Sequence, residues 1–284
     1  MHFIENEFLK VQSKERGAEL ISIVLKETGR EYLWQGGDLW KGQSPLLFPI
    51  VGNLKEDKIN IKKKSYPLQH HGFARNLEFE LINKDLTSIT YQATENEETL
   101  KVYPYNFNLF ISYTLRRHTL DVNFEVENTS YEPMYFSIGG HPAFNCNIDS
   151  GEFSDYYLEF EKEETADIYL KKKLIADTGT PYLKKTNILP FTSKTFIKDA
   201  LIFKKLKSSF VRLKNKNDES EIKVTFDGFP VFIVWSKGDK FVCLEPCFGC
   251  DDSENAKGNI EKKDQIIKLE AGDVFDKSYQ IKIK

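Results

Sequence analysis

The chain has 284 residues, with 40 lysines and arginines against 43 aspartates and glutamates and a formal net charge of −3. This balance excludes a basic nucleic-acid-binding protein and an acidic disordered tail. Because 22 phenylalanines and 13 tyrosines stand against nine alanines, the composition favours pleated, half-buried strands over helices. We therefore expect an all-β globular protein.

The N-terminal segment does not resemble a signal peptide, since it carries Glu5 and Glu7 and lacks a basic start followed by a long apolar stretch. The longest apolar run, around Pro45–Val51, is far shorter than the roughly 20 residues that span a bilayer. Four cysteines, three of them close together near the C-terminus, do not match a secreted disulfide scaffold. We expect a cytoplasmic protein with reduced thiols, and neither a membrane nor a nucleic acid as partner.

Alternation of apolar and polar residues predicts strands along the whole chain. In chain order these segments are Asn108–Leu115, Thr119–Val126, Tyr156–Phe160, Glu221–Phe226, Val231–Trp235 and Lys240–Leu244. The connectors Arg116–His118, Lys214–Asp218 and Asp227–Pro230 are typical of hairpin turns. Long helical periodicity, repeats and linkers are absent from the sequence. We therefore predict one domain over residues 1–284, a large antiparallel β-sandwich of two packed sheets.

Two runs of three lysines, Lys62–Lys64 and Lys171–Lys173, could bind an anion. Such runs on turns between strands more often form solvated faces of a protein. We therefore assign them no function.

Cys243, Cys247 and Cys250 are spaced C-x3-C-x2-C, a pattern that holds an iron–sulfur cluster in radical enzymes. Here they follow a predicted strand near the C-terminus instead of lying early in an α/β barrel. A zinc site would need a fourth ligand such as Cys146 or His141, which no spacing pairs with them. We interpret Cys243 as a core residue and predict no metal.

The segment QHHGFAR concentrates His70, His71 and Arg75 around a glycine. Imidazole and guanidinium groups together can bind several hydroxyl oxygens. The alternative is a turn in which one histidine caps the backbone and Arg75 pairs with Glu78 or Glu80.

A second segment holds His141 between Gly140 and Pro142 on a constrained loop. Its imidazole can accept or deliver a proton near neutral pH. The alternative is a structural, hydrogen-bonded histidine. Phe144 beside it could offer an apolar ring to a ligand.

A third segment places Glu245 at the end of an apolar strand, where Pro246 keeps it extended. Partial desolvation there raises its proton affinity, as a general base requires. The alternative is an ion pair with Arg75 or Lys237. A base, an acid and an arginine, without a nucleophile motif or a metal cluster, indicate proton transfer on a polyhydroxylated molecule.

Seven ordered segments resemble the aldose 1-epimerase (galactose mutarotase-like) superfamily, in particular its short bacterial LacX-like branch. They are LWQ (33–35), PLLFPIVG (45–52), HHGFAR (70–75), GHPAFN (140–145), DYYLEF (155–160), FIKDALIF (196–203) and VCLEP (242–246). The resemblance implies a large β-supersandwich with a sugar cleft and with neither metal nor organic cofactor. It also implies that His141 protonates the ring oxygen of a sugar while Glu245 removes the proton of the anomeric hydroxyl.

The resemblance further implies which residues bind the sugar. Those for the hydroxyl groups are His70, His71, Arg75 and Asp199. Phe48, Phe144 and Trp235 are candidates for packing against the apolar face of the pyranose.

Two positions depart from the family pattern, since relatives often carry an arginine where this chain has Asn53, and another near its Lys41 and Gly42. Fewer basic contacts disfavour a phosphorylated sugar. We therefore expect a cofactor-independent aldose 1-epimerase that acts on a free hexose such as galactose or glucose, as a monomer or homodimer. The alternatives are a hexose-6-phosphate 1-epimerase and a non-catalytic carbohydrate-binding protein.

Overall fold

The computed structural model describes residues 1–146 and 152–284. Within these ranges the strands are β1 (His2–Glu5), β2 (Leu9–Ser13), β3 (Leu20–Leu25), β4 (Arg30–Glu31), β5 (Leu46–Leu47), β6 (Lys58–Ile61), β7 (Lys64–Pro67), β8 (Glu80–Lys84), β9 (Ser88–Thr94), β10 (Phe107–Arg116), β11 (Thr119–Asn128), β12 (Met134–Phe136), β13 (Ile138–Gly140), β14 (Ala143–Asn145), β15 (Tyr156–Ile168), β16 (Thr180–Pro190), β17 (Leu201–Lys204), β18 (Phe210–Asn215), β19 (Asp218–Thr225), β20 (Val231–Trp235), β21 (Phe241–Phe248), β22 (Ile267–Leu269) and β23 (Val274–Ile283).

Helical structure is short throughout these described ranges. It consists of the α-helix α1 (Glu97–Val102) and 3₁₀ turns at Lys55–Asp57, Ala74–Asn76, Phe153–Asp155 and Ile260–Lys262. None of the described helices is long and apolar enough to cross a membrane. The prediction of an all-β fold is confirmed.

Each predicted strand is present, and apolar and polar residues alternate because one face of the strand is buried and the other is not. Strands β10 and β11 pair antiparallel along their whole length, and every second side chain of each is buried. The predicted turns at 116–118 and 214–218 join paired strands. The connector Asp227–Pro230 is not a hairpin, contrary to the prediction, because it leads from β19, which pairs with β18 and β23, to β20, which pairs with β17 and β21.

The described strands build one large antiparallel sheet of fifteen strands, a smaller sheet of four, β1 to β4, and two two-stranded sheets, β6 with β7 and β12 with β22. The main path of the large sheet is β5-β13-β21-β20-β17-β15-β18-β19-β23-β11-β10-β9-β8, with β14 paired to β21 and β16 to β15. The predicted packing of sheet against sheet is present, and it occurs within this continuous sheet, because distant parts of it face each other. The rings of Phe48, just after β5, and Phe107 of β10 lie 5.2 Å apart.

The apolar core fills the space between these layers and includes residues from Ile4 near one terminus to Ile283 near the other. The small sheet joins this core through polar contacts as well, since the hydroxyls of Ser13 on β2 and Tyr91 on β9 lie 2.7 Å apart. Burying each large apolar side chain contributes about 1.5–3 kcal/mol. The layered sheets thereby hold β13, β20 and β21 side by side beneath a cleft.

Candidate active site

The cleft has a volume of about 410 Å³, within the range of small-molecule sites. Ile233 and Trp235 of β20 and Glu245 of β21 line it. Residues two apart on a strand share one face, and Ile233 lies opposite Glu245 in the register. The pairing of these two strands therefore sets the floor of the cleft.

Most of the predicted site residues line this single cleft. They are His70, His71, Arg75, His141, Asp199, Trp235 and Glu245. Phe144 does not, contrary to the prediction, because it is fully buried in the main core. It lies three residues after His141 on extended chain, and an odd separation points the two side chains to opposite faces. Phe48 is also fully buried, so its predicted contact with a sugar is wrong too.

His141 and Glu245 form a buried pair, with Nε2 of the imidazole 3.4 Å from Oε1 of the carboxyl group. Their side chains are 9% and 3% exposed. Burial raises the pKa of Glu245 well above its usual value and lowers the pKa of His141 to about 3. We infer that the pair holds one proton near neutral pH, because either placement of that proton leaves the pair without net charge.

The ring of His141 stacks on Trp40, with centroids 4.9 Å apart and planes 25° apart. Trp235 meets the same imidazole edge-on at 6.0 Å. Sequence reasoning missed Trp40, which lies far earlier in the chain. The only local signal was a tryptophan within the polar, glycine-bearing loop GGDLWKGQ. Two indoles therefore fix the orientation of the imidazole and shield it from water.

The turn at residues 71 and 72 fixes the ring nitrogen that His71 offers to the cleft. The Nδ1 atom accepts a hydrogen bond of 3.0 Å from the N–H of Gly52, and the backbone N–H of His71 donates one of 3.0 Å to the Gly52 carbonyl. Burial lowers the pKa of His71 well below its usual value. The neutral ring therefore carries its hydrogen on Nε2, which makes that atom a donor.

His70 and Arg75 are joined in the neighbouring wall. The guanidinium of Arg75 donates a hydrogen bond of 2.8 Å to the His70 carbonyl, instead of pairing with Glu78 or Glu80. Burial lowers the pKa of His70 to about 4, and its Nε2 is buried without a hydrogen-bond partner among the described residues. Both side chains thus retain capacity to bind a ligand.

Lys171 also lines the cleft, which corrects the interpretation of the second lysine run as a solvated face. Its ammonium lies 3.1 Å from Oδ1 of Asp251. The same oxygen accepts hydrogen bonds from the backbone and side-chain amides of Asn53, at 2.8 and 2.9 Å. Lys172 and Lys173 are exposed, as expected. No local pattern distinguished Lys171 from its neighbours, because its partner Asp251 lies on a distant segment.

Asp199 reaches the cleft from the loop before β17. Its backbone has a positive φ of 76°, and its Oδ1 accepts a hydrogen bond of 2.9 Å from the N–H of Ala200. Lys41, considered as a substitute for a family arginine, is exposed and is not part of the cleft wall.

Cys243 lies beneath the acid–base pair, and donor atoms of His141, Cys243 and Glu245 all lie within 4.8 Å of one another. A thiol must lose its proton to bind a metal ion. Burial, and next the charge of Glu245, raise the pKa of the Cys243 thiol well above its usual value. We therefore interpret this cysteine as a packing residue, in agreement with its place in a small core cluster with Ala143 and Phe241.

Residues 2–282 match the family model described as aldose 1-epimerase. The chain therefore belongs to the aldose 1-epimerase family, and it is an isomerase. The protein "LacX, chromosomal" of Lactococcus lactis subsp. lactis is 37% identical to it over 297 aligned positions, which cover 99% of this chain and 98% of that protein.

Solved structures agree with this membership. A galactose mutarotase related enzyme from Lactobacillus acidophilus superposes with a TM-score of 0.95 at 34% identity, covering 100% of this chain and 97% of the other. A galactose mutarotase-like protein from Lactobacillus casei gives a TM-score of 0.93 at 29% identity, with both chains covered completely.

Proposed function

We propose that the protein interconverts the α and β anomers of a free hexose, galactose or glucose, by acid–base opening of the sugar ring without a cofactor. The observation that carries this proposal is the buried His141–Glu245 pair, 3.4 Å apart at the floor of a cleft lined by hydroxyl-binding groups. A proton donor and a proton acceptor side by side are what a hemiacetal needs at its ring oxygen and its anomeric hydroxyl.

The pair holds one proton, and the proposed step starts from the placement in which that proton lies on His141. The carboxylate of Glu245 then takes the proton of the anomeric hydroxyl while the imidazolium of His141 gives one to the ring oxygen. The bond between C1 and the ring oxygen breaks, and an open-chain aldehyde forms. After rotation about the C1–C2 bond, Glu245 returns its proton to the aldehyde oxygen and His141 recovers its own as the ring closes on the other face. Each positioned acid or base contributes about 10²–10⁴ in rate.

The walls of the cleft support the binding of a monosaccharide. The Nε2 hydrogen of His71 and the guanidinium of Arg75 are donors for hydroxyl oxygens, and the carboxylate of Asp199 is an acceptor for hydroxyl hydrogens. Trp235 offers an apolar ring, as pyranose sites commonly do.

A free sugar is favoured over a phosphorylated one because the inner polar groups are already engaged. Lys171 pairs with Asp251 at 3.1 Å. The side-chain amide of Asn53 donates to Asp251 and to the carbonyl of Lys173, so it has no hydrogen left for a phosphate. Arg75 is the one guanidinium in the described wall of the cleft.

The first test is polarimetry of freshly dissolved α-D-galactose and α-D-glucose, with and without the protein. We expect relaxation to anomeric equilibrium to exceed the spontaneous rate in proportion to protein concentration. Unchanged relaxation for both sugars, with folded protein confirmed by circular dichroism, would contradict a free-hexose mutarotase.

A second candidate is a hexose-6-phosphate 1-epimerase. Exposed Lys172 and Lys237 line the cleft, and neither has a carboxylate partner among the described residues. The same assay with galactose 6-phosphate and glucose 6-phosphate distinguishes the two candidates through the ratio of kcat/KM values. A sugar that protects the protein thermally but is never turned over would support the third reading, a non-catalytic carbohydrate-binding protein.

A further inference from the structure

Lys171 is the buried member of an otherwise exposed run of lysines. Its side chain is 13% exposed and that of Asp251 is 3% exposed. The two hydrogen bonds from Asn53 hold the Asp251 carboxylate in place. The ammonium is therefore anchored within the wall of the cleft rather than free to move in solvent.

Three carboxyl groups that line the same cleft act on this ammonium, and Asp251 is in direct contact with it. Burial lowers the pKa of Lys171, but the charges of Asp251, then Asp199, and finally Glu245 outweigh it and leave the pKa raised. Lys171 therefore stays protonated throughout the physiological range.

Several ionisable groups face Glu245 from the surrounding elements. They are His141 after β13, Lys171 after β15, Asp199 before β17, Asp251 after β21, and Cys243 and Cys247 on β21 itself. Burial raises the pKa of Glu245 most strongly, and Asp251 and Asp199 raise it further. Lys171 opposes all three of these effects.

We propose that Lys171 is a positioning residue for the acid–base pair: its ammonium, anchored on Asp251, stabilises the negative charge that Glu245 carries when it acts as the base. This inference rests on the proposed function of the cleft. Lys171 acts through Glu245, so its removal changes the pH at which the pair works. A nearby positive charge favours loss of protons from the pair. Lys171 therefore lowers both the pH at which kcat/KM rises and the pH at which it falls, which are the two limbs of a bell-shaped pH profile.

The test compares pH profiles of mutarotation for three variants. Lys171→Met removes the buried charge, and we expect both limbs to move to higher pH by about one unit. Lys171→Arg keeps the charge and should keep both limbs in place. Lys173→Met is the matched control. It removes an equal charge only two residues after Lys171, but from an exposed ion pair with Asp57. Unshifted limbs in Lys171→Met would overturn the proposal.

We expect Asp251→Asn to shift the pH profile of mutarotation in the direction opposite to Lys171→Met. The asparagine oxygen can still accept from Asn53, but the negative charge that raises the pKa of Glu245 is lost. Both limbs should therefore move to lower pH. A role that is only structural would lower activity or thermal stability in both variants without moving the limbs in opposite directions, and that result would also overturn the proposal.

Infrared spectroscopy makes the test independent of turnover. The C=O band of the protonated Glu245 carboxyl group is identified by its absence in Glu245→Gln, and its intensity is followed with pH. In Lys171→Met the band should persist to higher pH than in the wild type. If the wild type turns over no sugar, the proposed function fails while this titration still decides the role of Lys171; identical midpoints would reject that role.

Discussion

The geometry of the cleft requires that residue 72 have no side chain, and this residue is Gly72. An added Cβ would lie 2.3 Å from the carbonyl oxygen of Phe48, and the backbone has a φ of +68°. Only glycine tolerates both the close approach and this left-handed conformation without strain. The preceding residue, His71, also has a positive φ, of 63°, so the strained turn aims its imidazole at the cleft.

We predict that Gly72→Ala lowers the free energy of unfolding by about 2–4 kcal/mol and reduces activity, because the backbone that carries His71 must shift. Gly29→Ala is the matched control: its φ is +71°, but no atom lies within 4 Å of the added Cβ. It should cost only about 1 kcal/mol and leave activity unchanged. Urea unfolding measures both variants, and equal losses would show that the contact with Phe48 has no effect.

Among single residues, the sequence predicted those that depend on local chemistry. His141, next to glycine and proline, and Glu245, at an apolar strand end, lie where their neighbours suggested. Lys171 and Trp40 were not predictable from local sequence. Lys171 is buried only because it pairs with Asp251. Trp40 reaches the site only because its loop folds over His141. The error at Phe144 was avoidable by counting strand parity from His141.

At the scale of elements, strand β21 shows what local pattern can and cannot provide. Its apolar residues predicted a strand, and Pro246 was correctly expected to keep Glu245 extended. The pattern could not identify the distant partners of this strand: β21 pairs with β13 and β14, which lie far earlier in the chain, as well as with the adjacent β20. Such pairings join segments distant in sequence and depend on burial of the whole sheet, so they are invisible to a local window.

At the scale of the whole molecule, the large sheet and the core connect both ends of the chain. The final strand β23 pairs with β11 and β19, and core residues extend from Ile4 to Ile283. The sequence had favoured one domain because it contains no linker, and we propose that the described chain indeed folds as one unit.

This proposal predicts a single cooperative unfolding transition. Tryptophan fluorescence reports on Trp34, Trp40 and Trp235, which all pack against the small core cluster that contains Cys243. Urea curves followed by this signal should coincide with curves followed by far-ultraviolet circular dichroism, which reports on the entire sheet. Two separated transitions would show that part of the chain folds independently.

The most direct test of the central claim is the mutarotation rate of Glu245→Gln beside that of the wild type. The glutamine keeps the size of the side chain but cannot take the proton of the anomeric hydroxyl, so we expect kcat to fall by about 10²–10⁴. Galactose binding and the melting temperature should stay close to those of the wild type. Glu254→Gln, the same change at an exposed position, should keep full activity. A Glu245→Gln protein that retains activity within a few-fold of the wild type would contradict the role of Glu245 as the base.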